Sequence, residues 1–374
     1  MGTRIPLIKP FVNDEVKDAI IYVLENERFV LGESVFKFEE ELAKYFGVEY
    51  AITTSSGTHA LEFALKAIGL KGGHKVITTP FSFIATANSI LHAGGEPVFA
   101  DIRDDTFNID PDEVKGRIGS NVKAILPVHL YGYPADMDEI IELAEKNSLK
   151  VIEDACQAHG ATYHGRKVGT LGDVGCFSFY PSKNMTVCGD GGAIITNNEN
   201  IAKDVIKLRD CGRISKYEHD TIGYTARLNT INAAIGRVQL KYLDQWNETR
   251  RKIAKTYNSL LSDIQEITLP PSETSTIKPV YHLYVIRTRY RNQLKKWLEE
   301  NDIECGVHYP IPIHLQPIYR KIYGYSGREY PKSEKASEEC LSIPMHPFLK
   351  EEEIKYISEK IHEFFNKDRV KRDG

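Results

Sequence analysis

From about residue 50 onward, short apolar runs alternate with longer stretches whose apolar positions recur every three or four residues. The first pattern suits a buried strand and the second an amphipathic helix. "YAITT" (50–54) predicts a strand, and "THALEFALKAIG" (58–69) a helix ended by Gly69. "HKVITTP" (74–80) and "SFIATANSILHAG" (82–94) repeat that pair. "EPVFADI", "KAILPVHL" and "KVIEDA" read as strands, with "DMDEIIELAEKNS" (136–148) as a helix between the last two. "VGCFSFY" (174–180) and "AIITN" add two more strands. Such alternation predicts an α/β fold, a mostly parallel sheet flanked by helices.

From Thr230 to about Asp263 the helical pattern runs on for an unusual length, as expected of a segment that carries the chain between domains. "LPPSETSTIKP" (269–279) reads as a loop. A second αβ group follows in "VYHLYVIR", "NQLKKWLEENDI", "CGVHY" and "EEEIKYISEKIHEFF", and "NKDRVKRDG" reads as a frayed tail. The expectation is a large domain over residues 1–240, including the N-terminal segment, and a smaller C-terminal α/β domain over 241–374.

Charge narrows the partners. The 374 residues carry 48 basic and 52 acidic side chains, a net charge of −4. Without a basic excess, nucleic acid and anionic membrane surfaces are not expected partners. No apolar run approaches the roughly 18 residues of a transmembrane helix. "MGTRIPLIKPFVNDEV" is too broken by proline and charge for a signal peptide, and Pro6 stands where myristoylation requires Ser or Thr. The six cysteines (156, 176, 188, 211, 305, 340) form no Cys-x-x-Cys pair and predict reduced, mostly buried thiols in a cytoplasmic protein. His159 and His164 lack a third ligand at useful spacing, so no metal is expected.

Three short stretches carry possible chemistry. In "TTSSGTHAL" (53–61) a strand ends, a Ser-Ser-Gly-Thr turn follows and a helix begins. Free N–H groups at a helix start suit a phosphate, although Ser55 or Ser56 capping the helix explains the serines equally. In "KVIEDACQAHG" (150–160), Asp154 ends a strand, where open α/β sheets place their ligands; capping the next turn is the alternative. In "FSFYPSKNMTVCGDGGAIITNN" (177–198), Lys183 follows a Pro-Ser turn and precedes a glycine cluster, with Ser178 opposite its aromatic neighbours. A lysine in a partly dry pocket is a nucleophile toward carbonyls; a solvated loop lysine is the plain alternative. Taken together, a phosphate turn, an anion and an amine match the needs of pyridoxal 5′-phosphate (PLP).

These segments, with "PFVNDEV", "TPFSFIATANSI", "HLYGYPADM", "LNTINAAIGRVQL" and "HYPIPIHLQPIY", resemble the DegT/DnrJ/StrS family of PLP-dependent nucleotide-sugar aminotransferases, from near residue 10 to about 348. The resemblance implies the PLP-dependent transferase fold type I. It implies that Lys183 is the Schiff-base lysine and proton carrier, and that Asp154 partners the pyridinium nitrogen. Gln157 would bond the ring's phenolate oxygen and Phe83 stack on the ring. Ser56, Gly57, Thr58 and Ser178 would hold the phosphate. Asn229 would be donated to the neighbouring subunit's phosphate, implying a homodimer with shared sites. His308, Tyr309 and His314 would contact the sugar nucleotide; loop hydrogen bonding is the alternative for the two histidines. The implied activity moves the amino group of glutamate to a keto sugar on a nucleoside diphosphate, and the "FSFYPSKN" and "GDGGAI" segments resemble the C3-aminating group. Dehydratases of the same fold replace the lysine with histidine, so Lys183 argues against that alternative. A non-catalytic regulatory relative is a third reading.

Overall fold

The computed structural model describes residues 4–372, with side chains to residue 366, so Met1 and Gly2 lie outside the described residues. Five strands come first: β1 (Tyr50–Thr54), β2 (Lys75–Thr78), β3 (Glu96–Phe99), β4 (Val122–Leu126) and β5 (Lys150–Asp154). A tight hairpin of β6 (Thr162–Tyr163) and β7 (Arg166–Lys167) precedes β8 (Val174–Ser178) and β9 (Gly192–Thr196). The central sheet has the order β1-β9-β8-β5-β4-β2-β3. Only β9 opposes the other strands: it pairs antiparallel with β1 and β8, and the remaining pairings are parallel.

Alternate residues of these strands enter two different cores, so both faces are covered. Ile77, Ile125, Val151 and Phe177 point to one; Val76, Ala124, Ile152 and Cys176 point to the other. The first face is covered by α2 (Glu33–Phe46), through Phe38 and Leu42, and by α6 (Met137–Lys146), through Ile140 and Ala144. The second takes α3 (Gly57–Ala67), α4 (Ala85–His92) and α7 (Glu199–Arg209). Ahead of them, α1 (Asp14–Asn26) lays Val16 against Ile235 and Val238; α5 (Pro111–Lys115) is a short connection.

The 32-residue helix α8 (Thr230–Leu261) enters both lobes. Ala233 and Leu243 belong to the large core, while Ile253, Ala254, Tyr257 and Leu261 belong to the small one. The small lobe adds an antiparallel pair, β11 (Tyr284–Arg287) and β12 (Cys340–Ile343), after β10 (Ile277–Lys278) has joined the β6–β7 hairpin. Its helices are α9 (Arg291–Glu300), α10 (Pro317–Tyr323), α11 (Pro331–Glu339) and α12 (Glu351–Arg372).

Four sequence expectations are corrected here. "CGVHY" forms no strand: Gly306 makes a single bridge to Ser342, and the loop that follows contains two prolines, which lack the N–H a ladder needs. The N-terminal segment does not sit wholly with the large domain, since Ile5 bridges Ile303 and is buried in the small core. The tail expected to fray from Asn366 is helical in its backbone to Arg372, and Asp373 and Gly374 lie outside the described residues. The expected thiols are free, but not mostly buried: Cys176, Cys305 and Cys340 are buried, Cys156 and Cys211 half-buried and Cys188 exposed. No helix among the described residues is long and apolar enough to cross a membrane.

Candidate active site

Six of the seven sheet strands end at one edge, and a cavity of about 520 Å³ opens there, in the size range of ligand sites. Ser56, Gly57, Thr58, Phe83, Asp154, Gln157, Ser178, Lys183, His308 and Tyr309 all line it. Distant sequence positions therefore share one chamber, with Lys183 and Asp154 facing the same space.

Each group has a local cause. Pro181 and Ser182 form the corner of a turn closed by Lys183 N–H donating to Tyr180 O at 2.8 Å, which aims Lys183 back over the end of β8. Desolvation lowers the affinity of its amine for a proton; the neighbouring Cys156 thiol and Asp154 carboxylate pull the other way. Asp154 ends β5 and is buried. Its Oδ2 accepts from Thr86 Oγ1 at 2.8 Å and its Oδ1 from Cys156 N–H at 3.2 Å, and no cationic partner contacts it among the described residues. Gln157 accepts from Tyr131 N–H through Oε1 at 2.9 Å and donates through Nε2 to Tyr309 Oη at 3.2 Å.

The phosphate-like turn is a helix start. Ser56 caps α3, its Oγ accepting from His59 N–H at 3.1 Å. A Cβ at Gly57 would lie 2.6 Å from Ser178 Cβ, so only glycine lets α3 approach the end of β8 this closely. Ser178 faces the cavity while Phe177 and Phe179 are buried in the core behind it.

The small-lobe wall comes from the 306–309 loop and from residues just before β11. His308 Nδ1 lies 2.8 Å from Ser342 Oγ, and burial pushes its imidazole down to about 4. Burial also raises the Tyr309 phenol, and Phe83, 55 % exposed, lies 6.2 Å from the Tyr309 ring. His314 does not join them. It is fully buried outside the cavity, with Nε2 3.1 Å from Glu334 Oε1 and its ring edge-on to Tyr330, so the expected contact with a sugar nucleotide gives way to loop packing. Glu329 comes near His314 and Glu334 at ligand-like spacing, but these carboxylates already accept backbone N–H groups of residues 326–328 and 330. Asn229 lies outside this cavity too. It is exposed and caps α8, accepting from Asn232 N–H at 2.8 Å.

A profile of the DegT/DnrJ/EryC1/StrS aminotransferase family matches residues 10–362. The chain belongs to this family. A Geobacillus stearothermophilus member named a pleiotropic regulatory protein is 44% identical over 352 residues, covering 94% of each chain. A Streptomyces venezuelae member, dTDP-3-amino-3,4,6-trideoxy-alpha-D-glucose transaminase, is 38% identical, covering 94% of this chain and 92% of its own. Among solved structures, S. venezuelae DesV in complex with a ketimine intermediate superposes with a TM-score of 0.94 at 36% identity, over 97% of this chain and 99% of that one. Bacillus subtilis NtdA with bound cofactor PMP, the aminated form of PLP, gives 0.89 at 34% identity, over 97% and 85%.

The residues present fit that cofactor. A buried carboxylate without a cationic partner suits a protonated ring nitrogen, the glycine-floored start of α3 suits a phosphate, and a desolvated amine suits an aldehyde. Sequence reasoning missed several lining groups. Thr86, Cys156, Tyr180, Asp190 and His282 reach the cavity, and Tyr131 holds Gln157. Only Thr86 left a signal, four residues after Ser82 at the start of α4, with the two hydroxyls 3.0 Å apart.

Proposed function

We propose that this chain is a PLP-dependent aminotransferase that moves the amino group of glutamate to the C3 keto position of a nucleoside-diphosphate hexose, working as a homodimer with shared sites. The observation that carries the reading is the single cavity in which a desolvated Lys183 and a buried Asp154, in contact with no cationic side chain among the described residues, share one space. The C3 assignment follows the likeness of the "FSFYPSKN" and "GDGGAI" segments and the 3-amino product named for the S. venezuelae relative.

PLP supplies an aldehyde for the amine and a ring that accepts an electron pair. The chain supplies the rest. The Lys183 amine, kept short of its usual proton affinity, takes a proton from the substrate carbon and returns it. Asp154 holds the proton on the ring nitrogen. Gln157 Nε2 donates to Tyr309 Oη at the cavity wall and would offer its other N–H to the ring's phenolate oxygen. The N–H groups that open α3, with Ser56, Thr58 and Ser178, would take the phosphate, Phe83 would cover the ring, and His308 and Tyr309 would contact the sugar. Asn229, exposed at the start of α8, reaches a second copy.

The test is Lys183→Ala. The wild type is expected to turn yellow with PLP and to release 2-oxoglutarate from glutamate. The variant should lose the colour and fall in kcat by about 10²–10⁴-fold or more. A colourless wild type that ignores PLP overturns the reading. A yellow protein inert to every amino donor supports the regulatory reading that the name of the 44% identical relative carries.

A further inference from the structure

Behind the cavity, and outside the roles assigned so far, lies a buried histidine–carboxylate couple. His129 and Glu153 are both fully buried, with His129 Nε2 2.9 Å from Glu153 Oε2. Glu153 also accepts N–H groups from Gly169 at 2.6 Å and from Leu171 and Gly172 at 2.7 Å each, so its charge is fully engaged. His129 Nδ1 accepts Ala135 N–H at 3.0 Å. A nitrogen that accepts carries no proton, so the ring is neutral and Nε2–H is the donor to Glu153.

These bonds close a turn that the backbone alone would resist. Tyr131 sits at φ 56°, a left-handed conformation costly for a bulky side chain, and Gly132 follows at φ 89°. The turn is stitched to the end of β5, with His129 N–H on Asp154 O at 3.1 Å and Asp154 N–H on Pro127 O at 2.9 Å. It then delivers two contacts to the site. Tyr131 N–H holds Gln157 Oε1, and Tyr131 Oη–H donates to His308 O. With Oε1 taken, the Gln157 carboxamide can present only its Nε2–H₂ to the cavity.

We propose that His129 and Glu153 are positioning residues: through the 129–135 turn they fix the Gln157 amide with its donor facing the cavity and hold the His308 loop against it. The assignment rests on the PLP reading for the purpose of Gln157, but the anchor itself can be measured without cofactor. In apo protein, His129→Phe is expected to speed hydrogen exchange of the Tyr131 amide at least tenfold while the β2 amides at Val76 and Ile77 keep their protection. In the loaded enzyme, kcat should fall at least tenfold with the KM for glutamate within about twofold. His129→Gln keeps a donor toward Glu153 and should restore Tyr131 protection; His129→Asn, which keeps an acceptor for Ala135 N–H but loses the bond to Glu153, should not. A folded His129→Phe with unchanged Tyr131 exchange overturns the proposal, as does equal loss of protection at Val76 and Ile77. Should His129→Phe not fold, the Asn and Gln variants decide, and equal Tyr131 protection in both overturns it. If Tyr131 behaves as expected in a protein that never binds PLP, the anchor stands and the proposed function falls.

Discussion

Several imidazoles around Lys183 are held neutral by burial. His159 is packed against Phe177 and Phe179 at ring distances of 5.2 and 5.8 Å, and burial, with the nearby Lys183 amine, pushes it down to about 3. An unfolded histidine titrates near 6.5. Between those values the unfolded chain binds the extra proton, so stability falls as pH drops from about 6.5 toward 3. His308, pushed down to about 4, acts in the same direction over a narrower window. His159→Leu is therefore expected to flatten the loss of Tm between pH 6.5 and pH 3 at little cost near pH 7; a variant whose acid limb matches the wild type contradicts this. Residues that mark a strand end beside a glycine turn, such as Gly57, Asp154 and Lys183, were legible because chain geometry and chemistry coincide there. His282 and Tyr131 were not, because they reach the site through pairing of the 280–283 backbone with 131–132 (Val280 N–H on Gly132 O at 3.0 Å), which no local pattern encodes. His314 was misread because a histidine between prolines looks alike whether its partner is a ligand or Glu334.

At the scale of elements, the start of α3 is the proposed seat of the phosphate, and Gly57 sets how closely it meets β8. Gly57→Ala places a methyl 2.6 Å from Ser178 Cβ, and a β-carbon cannot swing away as a flexible side-chain tip can. Overpacking of this kind costs about 1–3 kcal/mol. The expected result is a PLP Kd raised at least tenfold together with a lower Tm, measured by fluorescence titration and thermal melting; unchanged affinity would mean that the start of α3 does not hold the phosphate. The sheet strands were legible because both of their faces are buried, which leaves near-continuous apolar runs. β12 was not read, since "CLSI" is only four residues long and borders a helix. Similarly, "CGVHY" has strand-like composition, but only Gly306 finds a partner backbone.

At the scale of the molecule, an apolar face around α1 lies exposed among the described residues. α1 buries Val16 and Val23 inward while Ile21, Tyr22 and Leu24 stay exposed, with Phe29 and Val30 exposed just beyond. Asn229 pairs with Val30 in an isolated bridge, so this face runs on to the residue proposed to reach a second copy. Ile21→Asp with Leu24→Asp is expected to convert a dimer to a monomer in sedimentation and to lower kcat at least tenfold, although both positions lie outside the cavity; a monomeric wild type with full activity would remove the shared site. The length of α8 was readable from the long helical stretch that begins at Thr230. The placement of Ile5 was not, because a single bridge to Ile303 leaves no periodic trace.

The 32 residues of α8 span about 48 Å, at 1.5 Å each, and contribute side chains to both hydrophobic cores. Neither lobe is thus a portable module: a gene split anywhere within codons 230–261 would yield two fragments, each with a severed helix and a bare greasy stripe. Complementation by co-expressing such halves should succeed only at breaks placed in the exposed 272–275 connection, where the backbone is irregular and little is lost by opening it.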